Sequence, residues 1–248
     1  MAAVSRWDLV RVFWRSLWLQ GAWSYRDMQT LGFAWALEPV LRRRYRGEAL
    51  QQATVGHLTF FNSNPILAAA ILGAAVHAES GGEAPAGDAA RRVCSVLMGP
   101  FGALGDSFFW GALRPCVVLI ALLAAVAGTP WAPWLLLGLF GGLNLAARGL
   151  FFGLGVRRGT GVAEAIQRLD LLRRAEALKS AAALLAGAFV VAAAPASRWE
   201  ALGIPAAAGW AGLVAVASVG ALLVRRGVGP GTLVVAVASM ACGIVWLG

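Results

Sequence analysis

From Trp7 to Trp18 the apolar residues Trp7, Val10, Phe13, Trp14, Leu17 and Trp18 recur at helical spacing, while Arg6, Asp8, Arg11 and Arg15 fall largely elsewhere on the wheel. This pattern predicts an N-terminal amphipathic helix lying in the headgroup layer, tryptophans toward lipid and arginines toward water. The alternative is packing on a partner subunit through the same face. Arg11 and Arg15 interrupt any continuous apolar core, which excludes a signal peptide. Leu19 to Gln29 is mixed and aromatic, as at an interface. Leu31 to Pro39 is apolar but too short to span, and its Glu38-Pro39 end predicts a segment that dips in and returns. The cluster Arg42-Arg43-Arg44-Tyr45-Arg46 then sets a cytoplasmic point.

Gly47 to Phe61 reads as a weakly amphipathic helix carrying His57. An apolar run follows from Pro65 to about Ala78, with Asn64 as its predicted N-cap and Pro65 at the first helical position. Glu79 to Asp88 is acidic and rich in Gly, Ala and Pro, and is expected to be a solvent loop. Leu97 to Pro115 is apolar enough for membrane depth, yet Pro100 and the glycines at 99, 102, 105 and 111 make it a poor continuous helix. It is expected to break, with Asp106 starting one half and Arg114 ending it before Pro115, each charge suiting its end of the helix dipole. Gly99, Gly102 and Gly105 recur every third residue and predict a face on which another backbone packs closely. A broken, charge-ended segment in apolar surroundings is one way to build a solute site in a membrane. The alternative is a kinked helix whose two charges pair with each other.

Cys116 to Ala127 continues as an apolar segment, Thr129 to Trp134 reads as a turn flanked by interfacial tryptophans, and Leu135 to Gly155 is long enough to span. Arg148 lies at depth in that span, facing protein, a water-filled path or, by snorkelling, the headgroups. Arg157 to Lys179 carries opposite charges three or four residues apart and predicts a cytoplasmic helix supported by its own ion pairs. Apolar runs at about Ala181–Ala194, Ile204–Val224 and Thr232–Leu247 follow. Of the links between them, Arg225-Arg226 is expected inside and the Ser197-Arg198-Trp199-Glu200 link outside.

Composition agrees with lipid surroundings. Hydrophobic residues make up 59% of the 248 positions and charged ones 13%, about half the charged share of a soluble domain; mean hydropathy is +0.71. The length predicts one membrane domain over 1–248, with 1–58 as an amphipathic, interfacial region and 59–248 embedded. The net charge of +9 comes almost wholly from arginine, in short clusters between apolar runs rather than a dense stripe, so nucleic acid is not an expected partner. Cys94, Cys116 and Cys242 are too far apart for a metal-ligand pattern and read as inert thiols. No phosphate-binding loop, H-E-x-x-H or G-x-S-x-G motif occurs. No cofactor or metal is expected; the histidines are His57 and His77, and His57 reads as structural, at an interface.

Three blocks in register carry a resemblance. Leu19-Gln20-Gly21-Ala22-Trp23 with Met28-Gln29-x-Leu31-Gly32-Phe33-Ala34, His57-Leu58-x-Phe60-Phe61-Asn62-Ser63-Asn64-Pro65, and Leu97-Met98-Gly99-Pro100 through Gly105-Asp106-Ser107-Phe108-Phe109-Trp110-Gly111 to Leu113-Arg114-Pro115 resemble the IID subunit of the mannose/fructose/sorbose-type phosphotransferase system (PTS). The chain departs from the family pattern at Ser24, Arg26-Asp27 and Glu38. The resemblance implies an all-α integral membrane fold with several transmembrane helices, re-entrant or broken helices and the N-terminal interfacial helix. It implies a multi-pass subunit of the bacterial cytoplasmic (inner) membrane. Partners would be a IIC membrane subunit, soluble IIA/IIB phosphocarrier proteins, the sugar and membrane lipid, in a trimer of IIC–IID pairs.

No catalytic residue is expected in this chain; the sugar would be phosphorylated by IIB on entry. The expected sugar contacts are Gln29, Asn62 and Asn64 to hydroxyls and Trp110 to an apolar ring face, with Asp106 and Arg114 shaping the broken helix. Rival readings are a non-transporting IID-like regulatory or docking protein of an incomplete PTS, and an unrelated small channel.

Overall fold

The computed structural model describes residues 4–81, 87–193, 200 and 203–227. Two compact units are present, Met1–Phe189 and Val190–Gly248. In the first, α1 (Arg6–Ser16) opens with a capping box: Ser5 Oγ accepts from Asp8 N at 3.1 Å, and the Asp8 carboxylate accepts from Ser5 N at 3.0 Å. The predicted tryptophan stripe is real, with Trp7, Trp14 and Trp18 74%, 64% and 62% exposed. The helix also has a buried face, Asp8, Val12 and Ser16, that the wheel alone did not separate out.

Helix α2 (Thr30–Arg44) runs straight through Pro39, where the sequence predicts an end. Proline removes the N–H that would bond Trp35 O four residues earlier. Arg15 Nη1 supplies the substitute, donating to Trp35 O at 2.8 Å and to Glu38 Oε2 at 2.6 Å. The helix therefore continues with its vacated acceptor satisfied from α1. It ends in Arg42, Arg43 and Arg44, cations suited to the negative end of the helix dipole.

After α3 (Gly47–Gly56), α4 (Ala68–Gly81) forms the centre of this unit, every residue from Ala68 to Val76 buried. At 14 residues it is roughly 21 Å long, short of the roughly 30 Å hydrocarbon core. Gly73 and Gly155 bring α4 against α7: a Cβ on either would meet backbone of the other helix, Val156 N at 2.8 Å or Ala74 N at 2.8 Å. This is small-residue packing that lets two backbones touch. Glu79, expected in a loop, is inside α4 and only 2% exposed.

Helix α5 (Asp88–Gly105), a π-wound segment (Asp106–Leu113) and α6 (Arg114–Val126) make one continuous rod. The expected break is thus corrected. Pro100 sits inside the helix, and the irregularity appears as widened winding, with Arg114 N–H bonding Phe109 O five residues back. Asp106 and Arg114 mark the two ends of that winding.

Helix α7 (Ala132–Arg158) follows a turn with Trp131 exposed, as predicted. Arg148 faces protein: its Nε donates to Asn144 Oδ1 at 2.9 Å and its Nη1 to Ser16 O, at the end of α1, at 3.3 Å. The expected helix over Arg157–Lys179 is divided among the end of α7, a 3₁₀ turn (Gly159–Gly161), α8 (Val162–Gln167) and the start of α9 (Leu171–Ala193). Asp170, at φ +46°, separates the last two. The expected ion pairs do form, Arg168–Glu164 at 2.6 Å and Lys179–Glu176 at 2.8 Å.

Among the described residues three stretches are long and apolar enough to cross a membrane: Asp88–Val126, Ala132–Gln167 and Leu171–Ala193. In the second unit α10 (Ala206–Arg225) is apolar and largely exposed. The Thr232–Leu247 run, Cys242, Ser197–Trp199 and the middle of the 79–88 loop lie outside the described residues. The chain is an all-helical integral membrane fold.

Candidate functional site

The segment 59–65 crosses the rod at its glycine face. It is pinned by Gln29 and Thr30 at the start of α2. The Gln29 amide donates to Ser63 O at 2.8 Å and accepts from Ser63 N at 3.2 Å, so both its ends are held by one residue's backbone. Thr30 Oγ1 accepts from Phe61 N at 3.0 Å, and Gln29 N donates to Phe61 O at 2.9 Å. A loop held by backbone pairing at several points is rigid enough to place side chains.

Asn64 serves two structures at once. Its Oδ1 accepts from Ile66 N at 3.0 Å, and its backbone O from Ala68 N at 2.7 Å, which closes a turn over 65–67 that leads into α4; the helix itself starts at Ala68 rather than at the predicted Pro65. Its Nδ2 donates to Asp106 Oδ1 at 2.8 Å. The predicted glycine face receives this loop. A Cβ on Gly102 would lie 3.6 Å from Ser63 Cα, and one on Gly105 would overlap the Asn64 side chain. Gly99 faces open space.

Beside this contact lies a cavity of about 370 Å³. Four of the six predicted contact residues line it: Gln29, Asn62, Asp106 and Trp110. Asn62 is exposed and Asp106 is exposed on the rod, so both offer polar groups to a ligand. Asn64 stands behind Asp106 as its hydrogen-bond donor. Arg114 is not among the lining residues; its guanidinium lies over the Trp110 ring, 5.7 Å from the centroid, and Trp110 also meets Phe140 at 5.9 Å. The two charges do not pair: among the described residues Asp106 has no ion pair.

Gln20, Ser63, Gly99 and Gly102 also line the cavity and were not predicted as contacts. Ser63 Oγ is buried without a hydrogen-bond partner. Ser63 and Gln20 stand in the same motif blocks as Asn62 and Gln29, which is the signal that could have named them.

His57 lies apart from this cavity. It is buried, 3.3 Å from Glu79, whose other oxygen accepts from Tyr45 Oη at 2.7 Å. Burial, reinforced by that carboxylate, pushes the Tyr45 phenol up to about 12. At the α1–α2 contact, the hydrogen bond from Arg15 holds the Glu38 carboxyl below its ordinary value of 4.5, outweighing the opposing effect of burial.

The cavity thus presents a carboxylate, amides and an indole face. That set suits a neutral, polyhydroxylated ligand, which needs hydrogen bonds at its edges and an apolar surface for its C–H face.

The chain is 39% identical over 146 residues to the "PTS system mannose-specific EIID component" of Escherichia coli (strain K12), covering 57% of this chain and 52% of that one. It is 31% identical over 163 residues to the "PTS system sorbose-specific EIID component" of Klebsiella pneumoniae, covering 64% and 60%. The chain thus spans about half the length of the curated relatives it matches. A solved structure described as "CryoEM Structure of Mannose Transporter ManYZ and Microcin E492 (MceA) complex" superposes with a TM-score of 0.61 at 28% identity, over 98% of each chain. A second, described as "Structure of membrane protein", superposes at 0.71 with 27% identity over the same shares. The family model for the PTS system mannose/fructose/sorbose family IID component matches residues 3–208, and the chain belongs to that family.

Proposed function

We propose that this chain is the IID membrane subunit of a phosphoenolpyruvate-dependent sugar phosphotransferase system of the inner membrane. With a IIC subunit it forms the translocation path for a mannose-, fructose- or sorbose-type sugar, which IIB phosphorylates on entry. The observation that carries this reading is the cavity in which Asn62, Asp106 and Trp110 converge beside a rigid, glycine-seated loop. Asp106 and Asn62 accept from and donate to sugar hydroxyls, and Trp110 offers a stacking face. Gln29 fixes the loop that carries Asn62, and Asn64 aims the Asp106 carboxylate. Arg114 lies over the Trp110 indole and steadies it. The chain contributes binding and a path, while the phosphoryl chemistry belongs to the soluble partners.

The test is phosphoenolpyruvate-dependent labelling of mannose, fructose and sorbose in vesicles holding this chain with its IIC partner and the soluble phosphocarriers. The expected result is accumulation of one labelled sugar phosphate that depends on this chain. Labelling that proceeds equally without it overturns the proposal.

A further inference from the structure

Arg114 carries a charge that no carboxylate among the described residues compensates. It sits in the longest of the apolar rods, between Phe108–Leu113 and the run Cys116–Val126. Val126 lies 12 residues beyond it, roughly 18 Å along the axis, in a hydrocarbon core roughly 30 Å thick. A guanidinium at such depth is costly unless protein or water compensates it. Yet Arg114 is exposed, and among the described residues its side chain has neither a hydrogen bond nor an ion pair, only the Trp110 ring.

Within the three membrane-length stretches, Asp88 pairs with Arg91, Glu164 with Arg168 and Glu176 with Lys179. Asp106 holds Asn64 and lines the cavity. Of these four carboxylates Asp106 alone has no ion pair, and in a second copy it is held by Asn64 at the cavity, so the cross-link below separates that copy from a different chain. The surface around it is shaped for approach: Gly111, exposed and three residues before Arg114, leaves no side chain in the way of a neighbouring helix. Asp106 and Trp110 line the cavity from the same rod, and this chain encloses the cavity only in part.

The geometry points to the Gly111–Arg114 face as the contact for a different membrane chain, one that places an Asp or Glu against Arg114 at membrane depth and walls the open side of the cavity. That chain is the IIC subunit, so the inference rests on the partnership given under Proposed function. Ion pairing between two membrane chains at this position neutralises both charges away from water.

The experiment uses the full chain, tagged and co-expressed with IIC. A photo-crosslinking amino acid at position 114 should give a covalent product with IIC; products only with lipid or with a second copy of this chain overturn the inference. Arg114→Glu should lower IIC co-purification at least tenfold, whereas Arg114→Lys should retain it. Reversing the IIC carboxylate identified by the cross-link should restore binding to Arg114→Glu. Unchanged co-purification of Arg114→Glu also overturns the inference. If Arg114→Glu does not reach the membrane, the cross-link decides. Failure of the unsubstituted chain to co-purify with IIC would overturn the partnership itself.

Discussion

Gly105 and Asn64 occupy one another's space: a Cβ built on Gly105 would lie 2.5 Å from Asn64 Cγ. Only a bare backbone at 105 lets the Asn64 amide reach Asp106 while accepting from Ile66 N. Gly105→Ala should therefore displace Asn64, lower stability by about 1–3 kcal/mol and abolish uptake. Gly99→Ala, where the new atom meets nothing within 4 Å, should leave the unfolding temperature unchanged or slightly raised. Thermal unfolding in detergent, read beside sugar uptake, checks both.

Asp106 has two separable roles, accepting from Asn64 and presenting a negative charge to the cavity. Asp106→Ala should abolish uptake with membrane insertion intact. Asp106→Asn keeps an acceptor for Asn64 but removes the charge. It should match the unsubstituted chain in stability while uptake falls at least tenfold, as measured in parallel by membrane abundance and labelled-sugar entry.

The exchange between Arg15 and Pro39 predicts a rescue. Arg15→Ala leaves Trp35 O without its donor and should cost about 1–3 kcal/mol. Pro39→Ala restores the backbone N–H that can bond Trp35 O, so the double variant should recover part of that loss. A double-mutant cycle on unfolding measures the coupling; strictly additive effects would show that Arg15 does not stand in for the missing N–H.

The same contact predicts a pH dependence. The Glu38 carboxyl is lowered chiefly by the Arg15 hydrogen bond, so its folded form releases its proton more readily than its unfolded form. Its contribution to stability is complete above the ordinary value of 4.5 and is lost as pH falls below 4.5 through the lowered folded value. The unfolding temperature should therefore drop on acidification across that window, and less steeply in Arg15→Ala.

The α4–α7 crossing tolerates no side chain at its centre. Gly73→Val should destabilise by about 3 kcal/mol or prevent folding, because the added atoms meet α7 backbone rather than a movable side chain. Loss of protease resistance in detergent is the readout.

Local features were legible from residue order. Helical spacing from Trp7 to Trp18, the Asn64-Pro65 turn ahead of α4, the tryptophan-flanked turn and the long apolar runs all depend on neighbours within a turn or on hydropathy summed over a span. The three motif blocks identified the family, and four of the six expected contact residues share one cavity. Glycine spacing at 99, 102 and 105 announced a packing face without saying what would occupy it.

Residue order alone determined that this protein is helical, embedded in lipid and built around the Asn62–Asn64 and Asp106–Arg114 stretches, because hydropathy and short-range spacing act through the chain itself. Tertiary structure decided that Pro39 does not end a helix, since the donor replacing its N–H comes from α1, 20 residues before Trp35. It also decided that Leu97–Pro115 widens rather than breaks and that Ser63 and Gln20 join the cavity. Those outcomes turn on which distant group satisfies a vacated hydrogen bond or fills the space above a glycine, and only packing settles that.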